Sequence, residues 1–398
     1  MECGRTLCRK PRKDEGRVTT SASIIHLGQA SGHTPSACGG VVDMLKVYID
    51  KILDGVQHVP ILIPNFGPLK FSNELFRASG FNNFSDPFVV IVETVGECDF
   101  ILLPHNYSQV KNRKDFLEFY ETLSVRYEKP IIVFAYGDTD EKIDIPNSLV
   151  LKYSMYGHSR QSNEIKIPAY VEDLLQDKKN IFRSKGGLPV VSFCGWAEYG
   201  NKCDAVKASF RNGFINAKRV IVGDSYLECY KQGIYFRKKF IDILRQSNFI
   251  KTDFIVRKSH SANKKTIELS ADMARTEYIN NIVNSDFSLA IRGDANESMR
   301  LYEILSLGRI PILIDTDCVL PREDILQYDK FILRIDFRDF RDADKIIYNF
   351  YNSLSNEGFT VMQKMARDAF EKYLRPEAFF RRLFSDLTYL KKCLKPMI

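Results

Sequence analysis

The sequence predicts an α/β protein made of two doubly wound domains, and three observations carry the prediction. From Met44 onward, apolar runs of strand length alternate with stretches of helical period. A polar break from Pro168 to Gly187, with Lys178-Lys179-Asn180 and a Gly-Gly pair, divides them into two series. Within the second series, Ser285 to Asp315 reads as strand, Gly-containing loop, short helix, strand.

Residues 1–43 are Ser-, Thr-, Gly- and charge-rich without periodicity, so they are expected to be a disordered N-terminal extension. Met44 could then be the true start of the functional chain. Met44 to Asp50 is read as an opening strand, followed by strands at Phe88–Glu93, Phe100–Leu103, Ile131–Phe134 and Leu149–Leu151 and a helix over Lys114–Tyr127. These make a first doubly wound domain over 44–184. The second, over 185–350, opens with the strand Leu188 to Trp196. Helices near Lys202–Asn212 and Tyr235–Gln246, a strand at Phe254–Arg257 and a helix near Ala271–Asn284 lead to the Ser285–Asp315 segment. From Asp342 the apolar spacing is helical, and a last helical run extends from Thr360 toward Tyr389.

Composition excludes several classes. With 398 residues, 44% hydrophobic and 27% charged, the chain can bury a core without staples. No stretch approaches the roughly 20 apolar residues of a membrane span. Basic N-terminal residues lack the apolar run of a secretory signal. The nine cysteines are scattered without a Cys-x-x-Cys pair, a pattern that favours a reducing cytoplasm. The six histidines are equally dispersed, so no zinc site is expected. Between Lys231 and Lys265, ten Lys or Arg face two Asp, a local +8 that accounts for the whole net charge of +7. That segment is either a solvated face or a field for an anionic ligand. It lacks the interleaved aromatics of single-strand binders, so nucleic acid is not the expected partner.

The chemistry concentrates in Ser285–Asp315. Phe287 to Ile291 feeds the loop Arg292-Gly293-Asp294, Ser298 is placed to cap a helix, Gly308 ends it, and Ile310 to Ile314 is the next buried strand. Such a unit aims first-turn N–H groups at an anion. Arg300 in that turn suits a diphosphate and Glu303, one turn on, suits ribose hydroxyls, unless the two form only a surface ion pair. Glu297 reads as a first-turn charge favoured by the helix dipole.

At these residues the chain resembles the exostosin-like glycosyltransferases. The resemblance lies in Ser288-Leu-Ala-Ile-Arg-Gly293, Ser298-Met-Arg300-Leu-Tyr-Glu303, Gly308-Arg-Ile-Pro311 and Leu320-Pro321. It runs from about Met44 to Phe379 and is strongest over Val190–Pro321. It implies a type-B glycosyltransferase arrangement of two Rossmann-like domains facing a cleft, and inverting transfer of a sugar from a nucleoside-diphosphate donor, most often a UDP-sugar, to a glycan hydroxyl. Domain 44–184 would then take the acceptor and 185–350 the donor, while 351–398 would pack back on the first domain. Arg292, Gly293, Asp294, Ser298, Arg300 and Glu303 would line the donor site.

The remaining candidates stay open on their residues alone. Gly195 ends a strand, either to admit a ligand to the backbone or to make a tight turn. Trp196, the sole tryptophan, is read first as interface packing. Arg211 and Arg237 either touch phosphate or are solvated. Asp138-Thr-Asp140 and Asp315-Thr-Asp317 are read as loop residues after strands rather than as metal sites, since Arg300 and a helix N-terminus already supply positive charge. His105 and Asp138 follow first-domain strands and are the candidates for the general base. No metal or other cofactor is expected, and peripheral association with membrane-linked glycan assembly is left open. The alternative functions are a non-catalytic glycan- or protein-binding module and a nucleic-acid-associated protein.

Overall fold

The computed structural model describes residues 44–68, 85–175, 182–259 and 269–394. The expected disorder of residues 1–43 lies outside them, as do Lys264 and Lys265 of the basic segment.

Two all-parallel sheets organise the chain. The first contains β1 (Lys46–Tyr48), β2 (Val90–Val92), β3 (Phe100–Asn106), β4 (Ile131–Ala135), β5 (Ser148–Lys152) and β6 (Glu164–Lys166), in the order β2-β1-β3-β4-β5-β6. The second contains β7 (Val190–Trp196), β8 (Lys251–Arg257), β9 (Phe287–Ala290), β10 (Ile310–Asp315) and β11 (Leu333–Asp336), in the order β11-β10-β9-β7-β8. Parallel strands are covered on both faces, which is why Phe100 to Leu103, Ile131 to Phe134 and Ile310 to Ile314 are buried without alternation. In each sheet the strand order reverses beside its first strand, between β1 and β3 and between β7 and β9. Doubly wound sheets bind ligands at the carboxyl ends of strands at such a switch point. Gly195 and Arg292 sit at the second one.

Short helices α1 (Ile63–Phe66) and α2 (Tyr107–Val110) precede α3 (Lys114–Tyr127), which spans the predicted residues and buries Tyr120 against the outer face of the first sheet. The second series holds α4 (Lys202–Val222), α5 (Gly233–Leu244), α6 (Ala271–Val283), α7 (Met299–Ser306) and α8 (Ala343–Ser353). The α4 helix runs well past the predicted end at Asn212. Gly213 sits inside it at ordinary helical cost, and the left-handed Gly223 (φ +73°) terminates it.

The last helices, α9 (Asn356–Ala369), α10 (Pro376–Ser385) and α11 (Leu387–Leu394), return to the first sheet. Phe380 on α10 lies 5.9 Å from Phe134, 6.1 Å from Tyr170 and 6.3 Å from Phe88, ring centre to ring centre. The same core contains Leu301, Tyr302 and Leu305 of α7, so one apolar cluster joins both sheets.

Strands β6 and β11 were not expected. The β6 strand, Glu164-Ile165-Lys166, reads as a polar segment, yet all three residues are buried. Glu164 accepts from the Lys152 ammonium at 2.8 Å, and Lys166 pairs with Glu297 of the second series.

Candidate functional site

Arg300 rises from the first turn of α7 to the end of β7. Its Nη2 donates to the Cys194 carbonyl at 3.2 Å, and its guanidinium carbon lies 4.7 Å from the centre of the Phe193 ring. Gly195 makes this possible: a Cβ there would come within 2.0 Å of Arg300 Nη2, and its φ of +152° also favours glycine. The open approach at Gly195 thus admits an arginine of the same chain.

Two more guanidinium groups converge here. Arg237, on the buried face of α5, donates to the Trp196 carbonyl at 3.1 Å and the Ile291 carbonyl at 3.4 Å. Its pKa is pushed down to about 9, first by burial and then by the positive charge of Arg300, with Arg292 adding to the effect and Asp294 opposing it. A guanidinium remains charged at neutral pH, so the depression marks positive charge with too little negative charge beside it. The Nε atoms of Arg237 and Arg300 are both buried with no hydrogen-bond partner among the described residues. Buried donors of this kind normally have one.

Glu303, one turn after Arg300, is buried and held from α6. Its Oε2 accepts from the Tyr278 hydroxyl at 2.6 Å and its Oε1 from Arg275 at 3.2 Å. It is therefore not half of an Arg300–Glu303 surface pair. Each carboxylate oxygen keeps a second lone pair for a further donor. Burial and the Glu303 charge push the Tyr278 phenol well above its ordinary pKa, so it stays a donor.

The loop before α7 is built differently from expectation. Arg292, not Asp294, fixes it: the buried guanidinium donates to the Tyr156 hydroxyl at 2.5 Å, the Cys229 carbonyl at 2.8 Å and the Asp294 carbonyl at 2.7 Å. Its donors are taken up by protein oxygens, so it supports the site rather than offering itself to a ligand. The Gly293 N–H donates to the Glu297 carbonyl at 3.3 Å. Asp294 is exposed, and its charge acts on Arg237. The Ser298 hydroxyl does not cap α7 but donates to the Ile291 carbonyl at 3.3 Å, while the Ser298 N–H donates to Glu297 Oε1 at 2.7 Å. Glu297 also accepts from the Tyr302 hydroxyl at 3.1 Å and pairs with Lys166, so it is a buried fastening of the two sheets rather than a surface charge.

In the first domain, His105 is not placed to act as a base. It is buried within β3, where its Nδ1 donates to the Gln57 carbonyl and its Nε2 accepts from the Leu53 N–H, both at 2.9 Å. Burial lowers its pKa, which keeps the ring neutral with both nitrogens engaged. It holds the segment after β1 against the strand end. Asp138 is exposed, in the loop after β4. Burial, then the neighbouring Tyr136 and the charges of Glu297, Asp138 and Glu303, push the buried Tyr153 phenol well above its ordinary pKa.

Other candidates separate. Arg211 is exposed on α4, whose buried face carries Ala208 and Asn212, and it does not join the cluster. Trp196 is half-buried and donates from Nε1 to the Glu198 carbonyl at 2.8 Å. Asp315 accepts from the Cys318 N–H at 2.9 Å and pairs with Arg334 at 3.4 Å. Asp317 meets His158 Nδ1 at 2.5 Å and accepts from the His158 N–H at 2.9 Å. Sequence reasoning missed Tyr278, Arg275, Tyr156 and His158. Tyr278 and Arg275 lie on a helix whose periodicity says nothing of a carboxylate beyond it. The other two lie in a loop without motif.

The second doubly wound sheet thus gathers an arginine cluster, a buried carboxylate and the N-terminus of α7 at its switch point, the place where such sheets bind ligands. Residues 229–350 match the family model of the Exostosin GT47 domain, the part of the chain that carries β9, α7 and β10. No curated protein matches the chain. Among solved structures, it is similar to TarM of S. aureus (11% identity, TM-score 0.33), covering 65% of this chain and 50% of TarM, so it spans about half of that protein's length. It is also similar to a glycosyltransferase from Rickettsia africae (11% identity, TM-score 0.34, 77% of this chain and 86% of the other). A third similarity is to Anabaena HepE, solved in complex with UDP-glucose (10% identity, TM-score 0.31, 88% of this chain and 98% of the other).

Proposed function

We propose that the chain is an inverting, metal-independent glycosyltransferase that uses a nucleoside-diphosphate sugar, with UDP the nucleotide, and a glycan hydroxyl as acceptor. The observation that carries the reading is the set of under-neutralised guanidinium groups, Arg237 and Arg300, at the switch point beside Glu303. Their orphaned Nε donors and the depressed Arg237 suit a site completed by an anion with several oxygens.

In this reading Arg300 and Arg237 hold the diphosphate and stabilise the charge that grows on it as the glycosidic oxygen departs. Glu303, oriented by Tyr278 and Arg275, takes the ribose hydroxyls. Asp138 is the base: it accepts the proton of the acceptor hydroxyl as that oxygen bonds to the anomeric carbon from the face opposite the leaving diphosphate. One displacement inverts the anomeric centre. The positive charge of the arginines and of the α7 N-terminus stands where a metal would otherwise neutralise the leaving group.

Thermal-shift titration with UDP, GDP, ADP and CMP, with and without EDTA, tests the donor half. Stabilisation by UDP is expected to survive EDTA and to be lost in Arg300→Ala and in Glu303→Ala. Wild-type UDP affinity in either variant would sink the assignment, and stabilisation that EDTA abolishes would overturn metal independence. For the base, Asp138→Asn is expected to leave UDP affinity unchanged and to lower turnover by roughly 100- to 10,000-fold. Turnover near wild type moves the base elsewhere.

A further inference from the structure

The surface of α4 has an organisation that the donor site does not use. The helix faces the protein with Ala208 and Asn212, yet its opposite, solvent-facing stripe is apolar along its whole length. Cys203, Val206, Phe210, Phe214, Ala217 and Ile221 recur there at spacings of three and four residues, the period of one helix face. Phe210, Phe214 and Ile221 are 76%, 72% and 83% exposed. Isolated exposed apolar residues need no explanation, but a continuous stripe with two phenylalanines does.

Charge decides what this stripe fits. Lys207, Arg211 and Lys218, all exposed, follow one edge of it, and Lys202 stands near the other. The sole acid of the helix, Asp204, lies in the first turn and exchanges hydrogen bonds with the cap residue Asn201. Aromatic and aliphatic side chains pointing outward, bordered by long basic side chains, are what a helix needs to lie in the plane of a lipid interface. The apolar residues enter the acyl boundary while the basic heads stay among anionic headgroups. A protein groove would take the apolar stripe equally well but gives no reason for a border of Lys207, Arg211 and Lys218 against the single acid Asp204.

We propose that α4 is a docking helix for a membrane surface carrying anionic lipids. It lies in the interface without crossing it; among the described residues no helix is long and apolar enough to span a bilayer. Docking is independent of the transferase reading, because neither the stripe nor its basic border belongs to the donor site.

The test is sedimentation of the full chain with vesicles of phosphatidylcholine alone and of phosphatidylcholine mixed in equal parts with phosphatidylglycerol, at low and high salt. The protein is expected to sediment with the mixed vesicles and to be released by salt. Phe210→Ser with Phe214→Ser removes exposed side chains only. It is expected to weaken partitioning by more than roughly tenfold, with circular dichroism and UDP-induced stabilisation as in the wild type. Lys207→Gln with Lys218→Gln is expected to weaken it by roughly 30-fold at low salt. Absence of wild-type sedimentation with the anionic vesicles, or equal binding by the phenylalanine variant, overturns the proposal. Concentration-dependent dimerisation that the phenylalanine variant abolishes, without vesicle binding, assigns the stripe to a second copy of the chain instead. A failed UDP response with intact vesicle binding would count against the donor site alone.

Discussion

Gly195→Ala is expected to cost as much UDP affinity as removing Arg300 altogether, roughly 10- to 100-fold, while the fold survives. The added Cβ would lie 2.0 Å from Arg300 Nη2, a distance no contact tolerates, and the obstacle is the far end of a flexible side chain rather than backbone. The guanidinium therefore swings out, losing its bond to the Cys194 carbonyl and its place over Phe193. Isothermal titration with UDP measures the loss. A double-variant cycle separates the two meanings of this glycine. If Gly195 serves only to admit Arg300, then Gly195→Ala has no further effect on affinity in the Arg300→Ala background. A second, additive loss there would show that the nucleotide itself approaches the Gly195 backbone, and unchanged affinity in the single variant would refute the arginine's role.

This glycine also shows how far the sequence could be read. Its position at the end of the first strand of a doubly wound series was legible, because strand length and the following helix period are local patterns. The identity of what fills the space was not, because Arg300 lies more than a hundred residues away in the chain. The same division holds across the site. The α7 unit, from Phe287 through Glu303 to the buried strand at Ile310, was legible as alternating period and spacing, and with it the place of Arg300 and Glu303 one turn apart on the helix. What was hidden is the support. Glu303 is oriented by Tyr278 and Arg275 of another helix, and Arg292 spends its donors on Tyr156, Cys229 and Asp294. In the sequence His105 stands after an apolar run of strand length. The strand in fact extends through it, and two backbone groups from the segment after β1 occupy its ring. Long-range hydrogen bonds of this kind leave no periodic trace.

The β6 strand was hidden for the opposite reason: its charged residues imitate a surface. Lys166→Met is accordingly expected to destabilise the protein by about 3–5 kcal/mol, the largest stability change among the substitutions considered. The Lys166 ammonium and the Glu297 carboxylate have side chains only 2% and 3% exposed, so removing the cation strands a carboxylate away from water, with the Ser298 N–H and the Tyr302 hydroxyl as its remaining donors among the described residues. Lys166 also donates to the Tyr153 carbonyl and lies 5.0 Å from the centre of the Tyr153 ring, contacts that a thioether replaces only in part. Urea denaturation measures the change. The pair itself, as distinct from its breaking, need contribute little: two desolvated charges recover their hydration cost only in good geometry. Lys166→Met combined with Glu297→Leu is therefore expected to recover much of the lost stability. Its affinity for UDP should nevertheless stay below wild type, because Glu297 also receives the N–H of Ser298 at the entry to α7, the helix that carries Arg300 and Glu303. A double variant no more stable than Lys166→Met would instead make the ion pair a net stabiliser of the junction between the two sheets.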